Sequence, residues 1–566
     1  MELIDQHTKK IMEECKERAR AAGLKFHGET LEYIVTNRDL VELSPKVMIP
    51  TLYDYWVHDV EVIQGKGVYE VYPHNPYETV INTRPAISFY NDNNPDWLNV
   101  MIFYHVLAHI DFFQNNIFFK KTWDDDFCGQ ALADKRLLNR IREELGAEKR
   151  WVDYAIEFSR GIDNLVGYYP ELSEEDVILR KRLAGAISEK ADFYFGEFLK
   201  TRYEEKNISL KEYYEEIDRY NECIRQFGEK YGETIFFEDG KFKSKYPEFQ
   251  SVFEKREKIE EAKSKDILEY LLENSDFLNK IKNRWIKQVL TIIRKTSLFF
   301  QPQIRTKIMN EGWASYWHEK LFLKDERIKG HEIDFANINA KVVVAPRVGL
   351  NPYVLGYQLF QFIEEMAKKG RLSYRYQLIK DAEQRRYYDE NLGDEAGKLA
   401  IFRARENLND FTMVNLLSDE DFQDFVDRYK LFVAGFKPDF WRGVVEVYIK
   451  SRSGKDYRQM LNNSLYHPPY IVINGEKAKS DELYLDHLFE GRTLITEYIP
   501  AVLRGLEYLW GNTVKLETTE FELAESARRD YYAWLYGTAK PEEKPKFKKM
   551  RVLYTMRNKN LSRVIL

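Results

Sequence analysis

Residues 99–119 read NVMIFYHVLAHIDFFQNNIFF, apolar on nearly every face of a 3.6-residue repeat, a pattern that predicts a helix buried all round. The turn-rich residues 91–95 lead into it, with Asp96 at the N-cap of a helix over about 97–119. Upstream, 1–42 has helical periodicity, and 68–71 and 86–90 read as strands. After Thr122 the pattern turns to long charged helices reaching about 199, then 210–231 and 249–273, with Glu and Lys at helical spacings on their exposed faces. Residues 277–323 predict a fourth long segment, interrupted at Gln301-Pro302-Gln303 because proline removes a helical N–H and clashes with the preceding turn.

Past Gly330 the helical pattern continues, with Asn351-Pro352 opening one helix and 407–417 and 419–432 supplying two more. Beyond Lys437-Pro438 the residues alternate: 444–450, 470–473 and 483–489 predict strands, and 495–510 a helix. The expected fold is mainly α: a large multi-helix domain over 1–440 with a short N-terminal β element, then a small α+β domain over 441–517. Residues 518–566 are expected to form a C-terminal helix and a solvated basic tail carrying Lys544, Lys546, Lys548, Lys549 and Arg551.

Length agrees with this division, since 566 residues exceed the roughly 250 to 300 at which one core stops growing. Acids and bases nearly cancel to a formal charge of −6, which gives no general reason to expect a nucleic-acid partner. No window approaches the roughly 18 apolar residues of a membrane span. The first twenty residues are charged and amphipathic, unlike a secretory leader, so the expected location is the cytoplasm. Cys15, Cys128 and Cys223 stand far apart, excluding a disulfide framework or a thiolate zinc site. Any metal must therefore be held by histidine and carboxylate. The 38 Tyr and 35 Phe suit wide helix interfaces better than a base-stacking platform.

The buried helix contains the first such candidates. His105 and His109, at i and i+4, stack two imidazoles on one face, the spacing at which a helix offers two nitrogens to one ion. The competing reading is a pair of core histidines hydrogen-bonded to backbone or buried tyrosines. The pair lacks the glutamate of an HExxH zinc-peptidase motif. Asp111 and Asn115, near the same turn, are candidates for supporting contacts. A second constellation, NEGWASYWHE over 310–319, puts Glu311, Ser315 and His318 on one helix face. Glu311 and His318 stand about 10 Å apart along the axis at about 1.5 Å per residue. That span is long for two ligands of one ion, so one binds metal while the other serves as general base, orients water or binds a second ion. Alternatively Trp313 and Trp317 fill a core while Glu311 pairs with a surface lysine. Gly312 permits close approach of another backbone.

Glu189 and Asp192 are weaker carboxylate candidates, and His467 and His487 read as structural. His7, His27, His58, His74 and His331 stand alone. No phosphate-binding glycine loop, G-x-S-x-G elbow or CxxC is present.

Several of these stretches together resemble the SpoVR (stage V sporulation protein R) family. Residues 78–83 (ETVINT) resemble its E-x-V-I-N segment, and 105–116 (HVLAHIDFFQNN) its H-x-x-x-H-x-x-F-F-x-N-N block. Residues 306–319 (TKIMNEGWASYWHE) are the most specific match, extended by NPYVLGYQLF at 351–360, NLNDFTMVN at 407–415 and HLFEGRT at 487–493. The chain departs from the pattern in lacking a Cys-Glu-Glu segment and a later Cys-His across 151–169, and a glutamate around 295–297. The resemblance implies a role in spore cortex formation or another cell-envelope process.

The functional expectation is a divalent-metal-dependent hydrolase of an amide or related bond. Zinc would be held by His105, His109 and His318, with Glu311 as ligand or general base. Its competitors are a non-enzymatic regulatory or scaffold protein binding a protein partner through the C-terminal domain, and an iron or manganese oxidoreductase.

Overall fold

The computed structural model describes residues 2–27, 29–36, 39, 78–123, 127–166, 188–199, 202, 210–253, 266–343, 346, 349–377, 379, 381–439, 444–475, 477–479, 481–523 and 547–566. The strand expected at 68–71 lies outside them. Near the N-terminus, β1 (Glu2–Leu3), β2 (Thr30–Val35), β3 (Glu78–Ile81) and β4 (Ala86–Asn91) form a sheet in the order β1-β2-β4-β3, with β2 and β4 parallel. The helix Gln6–Ala22 fills the β1–β2 connection, capped by the Asp5 side chain and ended by left-handed Gly23.

From β4 the chain turns directly into the histidine helix, Asp96–Asn115, with Pro95 at the N-cap and Asp96 as first helical residue. It ends before 119 because Asn116 leaves helical geometry and its side chain donates to the carbonyls of Arg405 and Leu408; a 3-10 helix, Ile117–Trp123, follows. As its all-round apolar pattern requires, it is central, packing on Gln6–Ala22, Gly393–Asn407 and the signature helix Lys307–Phe322. The signature helix in turn lies against Pro352–Lys368, which Asn351 caps. Gly312 and Gly356 meet at that crossing: a Cβ on Gly356 would stand 2.0 Å from the Ile308 carbonyl oxygen.

The break expected at Pro302 is displaced. The helix Arg284–Arg305 runs through Pro302, and the interruption falls at Thr306, whose N–H and hydroxyl both donate to the Pro302 carbonyl. A proline forfeits one intrahelical hydrogen bond without ending a helix that is packed on its buried face. The new start comes from elsewhere: the buried Asp410 carboxylate accepts from the backbone N–H groups of Ile308 (2.9 Å) and Met309 (2.8 Å), donors that have no partner inside the signature helix. Between Ser188 and Phe253 a separate aromatic core forms around Tyr194, with Phe236, Phe237, Phe242 and Phe249 among its members. Some of the aromatic excess goes there. The charged helix expected over 210–231 runs further, Leu210–Glu238, kinked at Gly228.

Around the boundary expected at 441, β5 (Val433–Asp439) pairs antiparallel with β6 (Val444–Ser451). A second sheet has the order β11-β10-β9-β8-β7. Its strands are β7 (Ile471–Ile473), β8 (Glu482–His487), β9 (Thr513–Leu523), β10 (Phe547–Arg557) and β11 (Asn560–Ile565). β8 and β9 are parallel, and the helix Ile499–Trp510 lies between them in sequence. Thus the helix and solvated tail expected for 518–566 are corrected over the described residues: β9 runs on to Leu523, and the basic run enters β10, the neighbour of β9. Val552, Tyr554 and Met556 alternate inward, and Arg551 pairs with Glu517 at 2.8 Å, so its charge is neutralised within the sheet. No helix among the described residues is long and apolar enough to cross a membrane.

Candidate metal centre

The histidine helix and the signature helix pack side by side and bring all four expected residues into one buried cluster. One ligand atom each from His105, His109 and Glu311 lies within 4.8 Å of the others. His105 and His109 rings stand 4.6 Å apart, nearly perpendicular, as i and i+4 residues on one face. Glu311 Oε2 is 3.6 Å from His109 Nε2. His318 is not part of that triplet; its Nδ1 is 2.9 Å from His105 Nδ1. The seven-residue span that separates Glu311 from His318 along their helix is therefore bridged by two histidines of the neighbouring helix.

Hydrogen bonding fixes which nitrogens are free. Burial holds His105 well below its ordinary pKa and brings His318 down to about 4, with neighbouring histidines adding to the effect, so each ring carries one proton at neutral pH. The Glu319 carboxylate can only accept: it takes Nδ2–H of Asn339 (3.1 Å) and the Tyr357 hydroxyl (2.9 Å). Asn339 Oδ1 must then accept from Nε2–H of His318 (3.0 Å). His318 Nδ1 is left a bare acceptor, so His105 donates to it through Nδ1–H, the tautomer in which His105 Nε2 carries no proton, and the Ala314 backbone bonds the same ring. His109 donates through Nδ1 to Asn310 Oδ1 (2.9 Å), which leaves its Nε2 bare as well when the ring is neutral. The open nitrogen of His109 therefore faces a carboxylate oxygen beyond hydrogen-bond reach. Two acceptors facing one another in a buried site repel unless a proton or a cation lies between them.

This donor set fits a divalent ion. Two neutral imidazoles and a carboxylate are a known three-ligand set for zinc that leaves a position open, and each histidine is oriented through its other nitrogen, as metal-binding histidines are. The Ser315 hydroxyl, on the same face as Glu311 and His318, is buried with no hydrogen-bond partner. Glu311 is the most accessible member, its side chain 18% exposed, and marks the side from which solvent reaches the cluster.

Asp111, expected near the site, serves the core instead. Its carboxylate accepts from Trp313 Nε1 (2.9 Å) and the Lys25 N–H (2.6 Å) and pairs with fully buried Arg405 (Nε 3.3 Å). Asn115 donates to the Lys25 carbonyl. The side chains of Glu189 and Asp192 lie outside the described residues. His331 stacks on Trp97, and His467 and His487 sit far along the chain in the C-terminal region with polar partners of their own. Sequence reasoning missed the Asn339–Glu319–Tyr357 chain. Glu319 and Tyr357 sit inside the family-like motifs, but nothing in the spacing of Asn339 announces that its helix, Glu332–Val342, folds back over His318.

Comparison with known proteins agrees with this arrangement of motifs. A family model described as "SpoVR like protein" matches residues 4–467. The chain is 22% identical over 504 residues, 86% of each chain, to a protein of Escherichia coli (strain K12) described as "Uncharacterized protein YcgB". No solved structure matches significantly. With the family model spanning most of its length, including both helices of the cluster, the chain belongs to the SpoVR-like family.

Proposed function

We propose that this protein is a metal-dependent hydrolase whose divalent ion, zinc by its donor set, is held by His105 Nε2, His109 Nε2 and Glu311. The observation that supports this reading is the hydrogen-bond chain that strips the proton from His105 Nε2 and leaves His109 Nε2 open toward Glu311. His318, expected as a ligand, here becomes the residue that orients His105, and Asn339 and Glu319 fix it in turn. A bound divalent ion would supply Lewis acidity, polarising a carbonyl and acidifying a water. Glu311 directs Oε2 toward His109 Nε2 and, as the most accessible member, would be the group to accept a proton. The packed walls around the histidines exclude bulk water, and an amide or related bond of a cell-envelope precursor or peptide suits the process implied by the family resemblance.

The competing structural reading has His109 protonated against Glu311, a buried ion pair with no metal. Elemental mass spectrometry of untagged, chelator-free protein beside a folded His105→Ala/His109→Ala variant separates the two. Near-stoichiometric zinc that disappears in the variant is the expected result, and justifies screening amide substrates. Iron or manganese in its place would move the reading to an oxidoreductase, and a metal-free wild type would leave a scaffold protein.

A further inference from the structure

A second site lies between the helical body and the C-terminal sheet, where a cavity of about 350 Å³ opens. That volume is within the roughly 300–1,000 Å³ of small-molecule pockets. Leu165, Ile267, Leu485, Leu503, Leu506 and Leu516 give it an apolar wall. Polar groups come from two loops, His467 from one and Glu490 and Arg492 from the HLFEGRT segment that the metal centre leaves unused.

These polar groups are incompletely satisfied. The His467 ring stacks on Phe411 at 3.7 Å, and its Nε2 lies 3.0 Å from Glu490 Oε2. Its side chain is only 5% exposed, and its Nδ1 is buried without a hydrogen-bond partner. Arg492 Nη2 is buried and unpartnered too. A buried polar atom without a partner is destabilising, so two on one cavity mark a place where a ligand completes the bonding. The unpartnered Arg492 Nη2 is a cationic donor, which an anionic acceptor satisfies. At about 30 Å³ per water-sized group, the volume holds about a dozen heavy atoms.

We propose that this cavity binds an amphipathic monocarboxylate of about ten carbons, its chain along the leucine wall and its carboxylate accepting from Arg492 Nη2. Decanoate, kept below its micelle concentration, is the probe for calorimetric titration of the full chain, with 1-decanol as the uncharged control. Wild type should bind one decanoate per chain and decanol at least tenfold more weakly. Arg492→Gln should weaken decanoate more than tenfold, and Val502→Trp, which fills the cavity from a half-buried wall position, should abolish binding. The His105→Ala/His109→Ala variant should bind decanoate as wild type does. Absence of binding to wild type overturns the proposal, as does equal affinity for decanol, or for decanoate in folded Arg492→Gln or Val502→Trp protein.

Discussion

The crossing of Gly312 and Gly356 sets how near Pro352–Lys368 lies to the helix that carries Glu311 and His318, and a single methyl group tests it. A Cβ on Gly356 would stand 2.0 Å from the Ile308 carbonyl oxygen and 2.8 Å from Gly312 Cα. Ordinary carbon–oxygen contacts lie at about 3.3–3.6 Å, so Gly356→Ala must push the buried helices apart by more than about 1 Å. Both obstructing atoms are backbone, and no side-chain rotation relieves the clash. Overpacking of this kind costs about 1–3 kcal/mol or more, against about 1 kcal/mol regained from alanine's helix propensity. Because a backbone clash takes the upper end of that cost, the net expectation is a loss of up to about 2 kcal/mol. Because Tyr357 follows Gly356 and holds Glu319, the same shift should also loosen the chain that orients His318. Urea unfolding followed by circular dichroism reads the first effect and chelator competition the second. Gly240→Ala, where a Cβ meets nothing within 4 Å, is the control and should be neutral or stabilising by up to about 1 kcal/mol. If Gly356→Ala unfolds at the same urea concentration as wild type, the close-crossing argument is wrong.

Three further outcomes follow from the buried polar groups. Asp111→Asn leaves the fully buried Arg405 guanidinium with only the more exposed Glu406, 3.7 Å away, as counter-charge and should cost up to about 3 kcal/mol; an unfolding midpoint unchanged from wild type would show that Glu406 alone suffices. Because His318 sits at about 4, below its ordinary 6.5, the unfolded chain takes up the proton first. The stability this neutral ring contributes is full above about pH 6.5 and is lost as pH falls toward 4, by up to about 3 kcal/mol. Urea titrations of metal-free wild type and His318→Gln across that range should show wild type losing the difference, and parallel curves would contradict it. Asn339→Leu removes the acceptor that fixes the His318 tautomer and should weaken metal binding by about 10–100-fold; equal zinc affinity by chelator competition would mean that the chain does not orient His105.

What was legible in the sequence divides by the range of the interaction. The histidine helix declares itself because it is apolar on every face, and Asn351-Pro352 marks a helix start through local chemistry that the structure keeps, Asn351 capping the N–H of Tyr353. The pairing of His105 with His109 follows from helical geometry alone. Their meeting with Glu311 does not, because it depends on which face of the signature helix turns toward them. The misplaced break at Pro302 has the same origin: a local rule located the proline, while the true start is set by Asp410, about a hundred residues on, and only the fold brings that carboxylate to Ile308 and Met309. In the C-terminal tail a positive charge run masked an alternation that could be read, Val552, Tyr554 and Met556, since the carboxylate that neutralises Arg551 lies on another strand.

These long-range contacts also explain why the cluster is built where it is. Every member sits on a helix packed on its neighbours, and the signature helix is pinned at three heights: Asp410 caps its first turn, Gly356 fits against Gly312 at mid-length, and Asn339 and Tyr357 hold Glu319 and His318 near its end. Side chains placed this way lose little further freedom when they converge on one point, which is what preorganised ligation requires. The cost appears in stability, because Asp410, pushed up to about 7 by burial despite its two N–H donors, is a carboxyl whose proton the folded chain retains after the unfolded chain has lost it. Its contribution is therefore lost as pH rises from about 4 toward 7, the opposite direction to His318. Because the two windows overlap, the opposed slopes largely cancel in the wild type, and in Asp410→Asn, which removes the falling contribution, the urea midpoint should rise from about pH 4 to 6.5 where that of wild type stays level, a test independent of any metal.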